Sequence, residues 1–141
     1  MGPGAKAITT LFEQVWNEGR LDALARVFAP DVIVHTSPEE QTRGSDTFAA
    51  VIADWRRAFP DIRHEIDALV EAADQAVVRW HGIGTHRAAF AGIEPTGRTM
   101  SYGGMTWCRI ESERIAEAWV AANVEQMIAS LATPDARPST A

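Results

Sequence analysis

The chain has 141 residues, is 46% hydrophobic and carries a formal net charge of −6 at pH 7. This length suits one domain with a real core, and the acidic balance argues against nucleic-acid binding, which needs a basic stripe. The N-terminus lacks the apolar stretch of a signal peptide, and no apolar run approaches the roughly 18 residues that suggest a membrane span. We therefore expect a soluble, cytoplasmic protein without nucleic-acid or membrane partners.

The first quarter of the chain predicts two helices and a short strand. Met1 to Gly4 is expected to be a flexible start, and the core of a single domain over residues 1–141 is expected to span about 8–131. Apolar residues at helical spacing predict an amphipathic helix over Ile8 to Trp16 and a second helix over Leu21 to Phe28. Val32 to His35 is β-branched and predicts a strand.

A polar loop and a third helix are expected next. Pro38 to Gly44 is predicted to be a loop, and Ser45 or Asp46 is expected to cap a helix that ends near Phe59. Ile62 to Glu71 then predicts a strand, although its alternation of apolar and polar residues is imperfect.

Two long strands organise the second half of the chain. Alternation at period 2 places Val78, Trp80, Gly82 and Gly84 on one face of a strand that follows a hairpin turn at 72–75. A loop rich in glycine and proline over 90–97 leads into a second alternating strand from Thr99. These two strands are predicted to pair antiparallel.

The last predicted strand runs from Ile115 to Asn123, with Trp119 and Asn123 on the same face if the strand is regular. Residues 124–131 predict a closing helix, and 133–141 a loose tail. Segregated helices and strands predict an α+β fold in which helices cover one side of a curved antiparallel sheet. Such a cone encloses a small-molecule pocket.

Several segments together resemble the SnoaL-like polyketide cyclases, a family of the nuclear-transport-factor-2-like superfamily of cone-shaped, cystatin-like α+β barrels. The resemblance covers about Ile8 to Leu131. It rests on Ala29-Pro30-Asp31-Val32 with His35, Gly44, Phe59-Pro60-Asp61-Ile62, Val78-Arg79-Trp80, Gly84-Thr85-His86, Phe90-Ala91-Gly92-Ile93-Glu94-Pro95-Thr96-Gly97-Arg98 and Arg114-Ile115-Ala116-Glu117-Ala118-Trp119. It implies the cone fold, a homodimer through the outer face of the sheet, and cofactor-free chemistry on a flat aromatic polyketide.

One position departs from the family pattern. In the cyclases an aspartate that follows the Glu-x-Trp motif acts as general acid and base, and here that position is Asn123. An amide cannot take up a proton near neutral pH. Ring hydroxylation of an anthracycline-type substrate, known in the tailoring branch of the same family, is therefore favoured over aldol cyclisation. A separate reductase partner, if one takes part, is not visible in the sequence.

The catalytic candidates are Asn123, Asp61 and His35. Asn123 would orient a substrate oxygen, and either Asp61 with a raised pKa or a histidine would move the proton. The structural alternatives are that Asn123 pairs backbone groups at a strand end and that Asp61 forms a turn. His64 and His81 are expected at the surface.

The substrate-binding candidates are three tryptophans, a histidine and an arginine: Trp80, Trp107, Trp119, His86 and Arg63. Tryptophans offer flat surfaces to an aromatic ligand, although core packing is the alternative for each. Cys108 is expected to be a buried apolar residue. Neither a metal nor a nucleotide cofactor is expected, because the histidines lack ligand spacing and the G-x-G-x-x-G fingerprint is missing.

Two other functions stay open at this point. One is a cyclase or isomerase whose catalytic base lies elsewhere in the sequence. The other is a binding module that carries a hydrophobic ligand without catalysis.

Overall fold

The computed structural model describes residues 1–133, with four α-helices packed on one curved, unclosed sheet of six strands. The helices are α1 (Pro3–Thr10), α2 (Leu24–Val27), α3 (Ser45–Ala58) and α4 (Val124–Ala132). The strands are β1 (Phe28–His35), β2 (Gln41–Arg43), β3 (Arg63–Ala72), β4 (Gln75–Thr85), β5 (Thr99–Glu111) and β6 (Arg114–Ala122). The predicted α+β cone is confirmed, and the expected tail, Thr133 apart, lies outside the described residues.

The sheet is mixed, so the expectation of a purely antiparallel sheet was wrong. Its strand order is β2-β1-β6-β5-β4-β3, in which β1 and β6 run parallel and every other neighbouring pair is antiparallel. β2 was not predicted, because its three residues lie within the polar stretch that predicted only a loop. None of the helices in residues 1–133 combines the length and the apolar character needed to cross a bilayer.

The start of the chain is ordered, which corrects the prediction of a flexible segment at Met1 to Gly4. α1 begins at Pro3, a residue favoured in the first helical turn because its missing N–H is not needed there. Gly4 and Ala5 are buried. The helix then widens into a π-helical segment over Leu11–Asn17, and a 3₁₀ turn over Leu21–Ala23 leads into α2.

α3 starts without the side-chain cap predicted at Ser45 or Asp46. Gly44 occupies the N-cap position at φ 93°, in the left-handed region that favours glycine, and no side chain bonds the free N–H groups there. Elsewhere the predicted alternation is confirmed. The even-numbered residues of β4 from Ala76 to Gly84 are buried, and so are Met100, Tyr102, Thr106 and Cys108 of β5.

Two bulges change which residues face the helices. β3 shifts register between Ile66 and Ala68, and the β5–β6 pairing shifts where Arg109 meets Glu117 and Ile110 meets Ile115. A bulge adds one residue and moves every later side chain to the opposite face. In β6 the inward residues after the bulge are therefore Ala118, Val120 and Ala122.

Glu71 of β3 fixes the N-terminus of α1. Its carboxylate accepts hydrogen bonds from the backbone N–H groups of Gly2 (3.0 Å) and Ala5 (2.8 Å). The bond from the Ala5 N–H is the main cause that lowers the pKa of Glu71. The carboxylate thus satisfies helix N–H groups that have no partner within the helix.

Replacing Glu71 by glutamine is expected to lower stability at neutral pH. Because the folded-state pKa of Glu71 is depressed, its contribution is present above the ordinary value of about 4.5 and is lost as the pH falls below it. Urea midpoints of wild type and Glu71→Gln should differ at pH 7 and converge near pH 3. Glu113→Gln, in the exposed β5–β6 turn, serves as the control and should leave the midpoint unchanged.

Candidate active site

A mainly apolar cavity of about 130 Å³ lies between the concave face of the sheet and the helices. Its walls are apolar side chains from α1, the π-helical segment, α3, β1, β4, β5, β6 and the start of α4, and β3 contributes His64. None of the lining residues within 1–133 is an aspartate, glutamate, lysine or arginine. The polar side chains that line it are Thr36, His64, Tyr102 and Thr106, together with the indole N–H of Trp80.

The opening of the cavity lies between α3 and the C-terminal ends of β1 and β6. Buried residues surround the deep end, whereas the lining residues at this end keep partial exposure. Thr36 is exposed there, and the partly exposed lining residues are Phe48, Val51, Trp55, Val120, Ala122 and Val124. A ligand that enters here meets a mainly apolar rim before it reaches His64 and Tyr102.

His64 and Tyr102 form a hydrogen-bonded pair on the wall of the cavity. The imidazole Nε2 and the phenol oxygen are 2.5 Å apart, and the two residues are 4% and 6% exposed. His64 Nδ1 is buried and has no hydrogen-bond partner in the described part of the chain. One nitrogen of the pair therefore has a hydrogen-bonding capacity that the described residues do not use.

Burial keeps both members of this pair neutral. It lowers the pKa of His64 to about 3, with a smaller contribution from the charge of His81, and it raises the pKa of Tyr102 well above its usual value. At neutral pH the imidazole and the phenol are therefore both uncharged hydrogen-bonding groups in a medium of low dielectric constant.

The stability of the protein is expected to fall as the pH drops from about 6.5 to about 3. In that range the unfolded chain binds a proton at His64 that the folded protein does not bind. Urea midpoints measured across this range should show a weaker pH dependence in His64→Gln, which removes the titrating group. An equally steep dependence in His64→Gln would contradict the assignment of a neutral, buried imidazole.

Aromatic rings surround the pair. The Trp16 ring centroid lies 4.8 Å from that of His64, and Trp80 and Trp55 each lie 5.1 Å from Tyr102. The Trp80 indole donates a hydrogen bond of 3.0 Å to the Thr106 hydroxyl. Trp80 thus lies in the cavity wall, and its role in substrate binding stays a prediction.

Asn123 does not line the cavity. Its side-chain oxygen accepts a hydrogen bond from the Gly103 N–H (2.8 Å), and its backbone N–H donates to the Gly103 carbonyl (3.2 Å). Asn123 is exposed to solvent. It also occupies the N-cap position of α4. The structure therefore favours the backbone-pairing alternative, and the inward orientation expected for Asn123 was wrong.

Asp61 anchors a loop and is not poised as a base. It accepts hydrogen bonds from the backbone N–H and the hydroxyl of Thr85, each 2.7 Å long. The pKa of Asp61 is lowered, because these hydrogen bonds and the positive charge of Arg87 together outweigh the opposing effect of burial. The expectation of a raised pKa was wrong, because the carboxylate is stabilised in its charged form.

Four more candidates lie on the outer face of the sheet, away from the cavity. Trp107 is 51% exposed and Trp119 is 42% exposed, and His35 stacks on Trp119 with ring centroids 5.3 Å apart. His35 Nε2 lies 2.7 Å from Glu117 Oε2, and Arg63 pairs with Glu65. Placing Trp119 toward the interior was wrong, because the bulge in β6 reverses the facing that a regular strand would give.

His86 is fully buried outside the cavity lining, in the loop after β4. Its Nδ1 accepts from the Thr96 N–H (3.1 Å) and lies 3.0 Å from the Thr96 hydroxyl, and its backbone pairs with Arg98 and Gly97. These contacts hold the loop together, so the structure does not place His86 where it would touch a ligand in the cavity.

His64 was expected at the surface, and the structure corrects this. Alternation from Ile62 places His64 and Ile66 on the same inward face, before the bulge that follows. That regular spacing was the available signal. Cys108 is buried in the cavity wall, as predicted, and burial raises the pKa of its thiol to about 12.

Solved structures with the same fold were found across most of the chain. One is a protein from Jannaschia sp. CCS1 that has been assigned as a SnoaL-like polyketide cyclase by similarity. It superposes with a TM-score of 0.85 at 16% identity, and the match covers 94% of this chain and 93% of that protein. AclR, a proposed hydroxylase from Streptomyces galilaeus, superposes with a TM-score of 0.81 at 20% identity, and the match covers 93% of this chain and 97% of AclR. IdmH, a proposed polyketide cyclase from Streptomyces antibioticus, superposes with a TM-score of 0.76 at 27% identity, and the match covers 92% of this chain and 99% of IdmH.

Sequence comparison gives the family directly. A search of curated proteins finds no match. The family model described as SnoaL-like polyketide cyclase matches residues 6–131, which include every helix and strand of the structure except the first residues of α1 and the last residue of α4. The cavity between helices and sheet therefore belongs to a chain that is a member of the SnoaL-like polyketide cyclase family.

Proposed function

We propose that this protein is a cofactor-independent enzyme that tailors an aromatic polyketide, with the His64–Tyr102 pair bonding a substrate oxygen. The observation that carries this proposal is the neutral imidazole–phenol pair in an otherwise apolar cavity. Preorganised donors in a dry site stabilise negative charge that develops on an oxygen far better than water does, and they do not need to reorganise during the reaction.

The hydrogen-bond count indicates which atom meets the substrate. If the Tyr102 hydroxyl donates to His64 Nε2, one donor remains unpaired, the Nδ1–H. If Nε2–H donates instead, both the Tyr102 hydrogen and the bare Nδ1 are left without partners. Because unpaired buried polar groups are costly, the first arrangement is favoured, and the Nδ1–H is the donor that we assign to a carbonyl or phenolate oxygen of the substrate.

The size of the cavity agrees with a substrate that is only partly enclosed. A cavity of about 130 Å³ is close to the roughly 150 Å³ that holds one benzene ring in an apolar protein core. One ring of a flat polyphenol would lie among Trp16, Trp55 and Trp80, and the remaining rings would extend through the apolar opening.

Within this class we propose ring hydroxylation. Within residues 1–133 no carboxylate lines the cavity, and a desolvated His64 is a weak base, so proton abstraction from carbon has little support. An ionised polyphenol is itself electron-rich enough to react with O₂. One oxygen atom would enter a ring C–H bond as hydroxyl and the other would become water, with two electrons and two protons from a separate reductase.

Cyclisation or isomerisation is the second candidate. Among the lining residues of the described part of the chain, His64 is the one side chain with a nitrogen able to take a proton, and a substrate anion beside it would raise its basicity. Aldol ring closure needs no oxygen and no reductant. The two candidates therefore differ in oxygen use and in product mass.

The experiment is to incubate the protein with anthracyclinone-like polyphenols, with and without a cellular reductase fraction, while measuring O₂ uptake and product mass. A gain of one oxygen atom that depends on the protein supports hydroxylation. An isomeric or dehydrated product without O₂ uptake supports cyclisation. Tight binding without any product contradicts an enzymatic role and favours a ligand carrier.

We also propose that the protein forms a homodimer through the outer face of the sheet. Trp107 and Trp119 are opposite each other on β5 and β6 and keep about half of their surface exposed. Large exposed aromatic surfaces of this kind are typical of protein interfaces. Arg109 and Glu117 provide charges of both signs beside them, and His35 lies against Glu117.

Changing both Trp107 and Trp119 to glutamate is expected to convert a dimer into a monomer, because two carboxylates per subunit would be buried without partners. Sedimentation velocity measures the change. Ala50→Glu, on the exposed side of α3, is the control and should leave the sedimentation coefficient unchanged. A wild-type protein that sediments as a monomer at all concentrations would refute the dimer.

A further inference from the structure

β3 is an edge strand, so one of its sides lacks a neighbouring strand in the sheet. Asn17, the last residue of the π-helical segment, forms two hydrogen bonds on that side, both with the backbone of His64. Its side-chain oxygen accepts from the His64 N–H at 2.7 Å, and its side-chain nitrogen donates to the His64 carbonyl at 2.9 Å. The residue fixed in this way is the one whose ring lies in the cavity.

A carboxamide is suited to this position because it has one acceptor and one donor side by side, like a peptide group. Asn17 thus acts as a one-residue substitute for a paired strand and restrains the backbone of His64. An aspartate of the same shape could accept from the N–H but would place a negative oxygen against the carbonyl. The arrangement therefore depends on the amide itself.

The same segment also holds the imidazole ring. Phe12 stacks on His64 at 5.7 Å with an interplanar angle of 22°, and Trp16 lies 4.8 Å away. The end of the segment is held in turn by Arg56, which donates to the carbonyls of Trp16 (2.6 Å) and Asn17 (3.3 Å).

On the far side of the ring, Gly82 leaves the space in which His64 meets Tyr102. A Cβ atom at Gly82 would lie 2.9 Å from His64 Cδ2 and 2.7 Å from Tyr102 Cε1. The register places these three residues on neighbouring strands, with His64 opposite Gly82 and Gly82 opposite Tyr102. The backbone at His64 must therefore be fixed for the hydrogen bond to span the gap.

We infer that Asn17 is the positioning residue of the site: its two hydrogen bonds hold the His64 backbone so that the imidazole reaches Tyr102 in the cavity wall. The importance of this position for turnover rests on the proposed function. The positioning itself can be measured without any substrate.

The test compares Asn17→Ala and Asn17→Asp with Glu13→Ala, which changes an exposed side chain of the same π-helical segment. Ring ¹⁵N chemical shifts of His64 are recorded by NMR between pH 4 and 8. Wild type and Glu13→Ala are expected to keep a neutral ring throughout. Both Asn17 variants are expected to admit water and to protonate within this range, and turnover should fall about 10²-fold with little change in KM.

The inference is overturned if the Asn17 variants keep the wild-type ring shifts, or if Glu13→Ala changes them equally. If the Asn17 variants do not fold, hydrogen exchange in the wild type decides. The His64 amide should exchange as slowly as amides of β4 although it lies on a sheet edge, and fast exchange would overturn the inference. If the ring shifts and hydrogen exchange agree with the inference but product is never formed, the proposed function is refuted and the positioning role of Asn17 is not.

Discussion

Tyr102→Phe and His64→Ala are each expected to lower kcat by about 10²- to 10³-fold, the usual effect of removing one preorganised donor to a developing oxyanion. Phenylalanine keeps the ring of Tyr102 and removes only the hydroxyl that is hydrogen-bonded to His64 Nε2. The imidazole then loses its fixed tautomer, and the free nitrogen no longer presents a defined hydrogen. KM should change little, because the aromatic walls that bind the rings remain.

The double variant separates a joint role from two independent roles. Groups that act as one unit give non-additive effects, so the pair of changes should cost little more than either change alone. Thermal unfolding of each variant checks the fold, since Tyr102→Phe leaves a buried nitrogen unpaired at a cost of about 1–3 kcal/mol. Folded variants with wild-type turnover would rule out the pair as the centre of the reaction.

Gly104→Ala is expected to have the largest effect on stability. A Cβ atom there would lie 2.0 Å from the Ala121 carbonyl oxygen and 2.7 Å from Ala122 Cα, and both contacts are with backbone. β5 and β6 would have to separate at the point where β6 lines the opening of the cavity. We expect a loss of about 4 kcal/mol or more, or failure to fold.

Gly92→Ala is the matched control, because the chemical change is identical and a Cβ atom there meets nothing within 4 Å. Only the positive φ of 78° opposes it, at a cost of about 1–2 kcal/mol. Urea unfolding measures both variants. Equal losses at Gly104 and Gly92 would mean that the close approach of β5 and β6 relaxes easily.

The sequence supports the architecture better than it supports the site. Alternation in β4 and β5 is strict, so the buried faces of Val78, Trp80 and Tyr102 follow from period 2 alone. Bulges leave no comparable sign in the sequence. The one near Ala116 turned Trp119 outward, and the prediction for Asn123 depended on the same facing.

The site itself depends on contacts between distant segments. Spacing from Ile62 indicates that His64 faces inward, but it does not show that the π-helical segment packs its rings against the imidazole. The lowered pKa of Asp61 likewise depends on Thr85, 24 positions further along the chain. Such pairings are set by tertiary structure, which residue spacing does not encode.

The parallel pairing of β1 with β6 has a consequence during synthesis. His35 and Glu117 lie beside each other but are 82 positions apart, so β1 leaves the ribosome long before its main neighbour exists. Synthesis proceeds at about 5–20 residues per second. For several seconds β2 is therefore the only neighbouring strand of β1, and the apolar side chains of Val32 and Val34 lack the cover that β6 provides. Nascent chains that stop before β6 are therefore expected to aggregate, and chaperones that shield unpaired strands should raise the yield of the full chain.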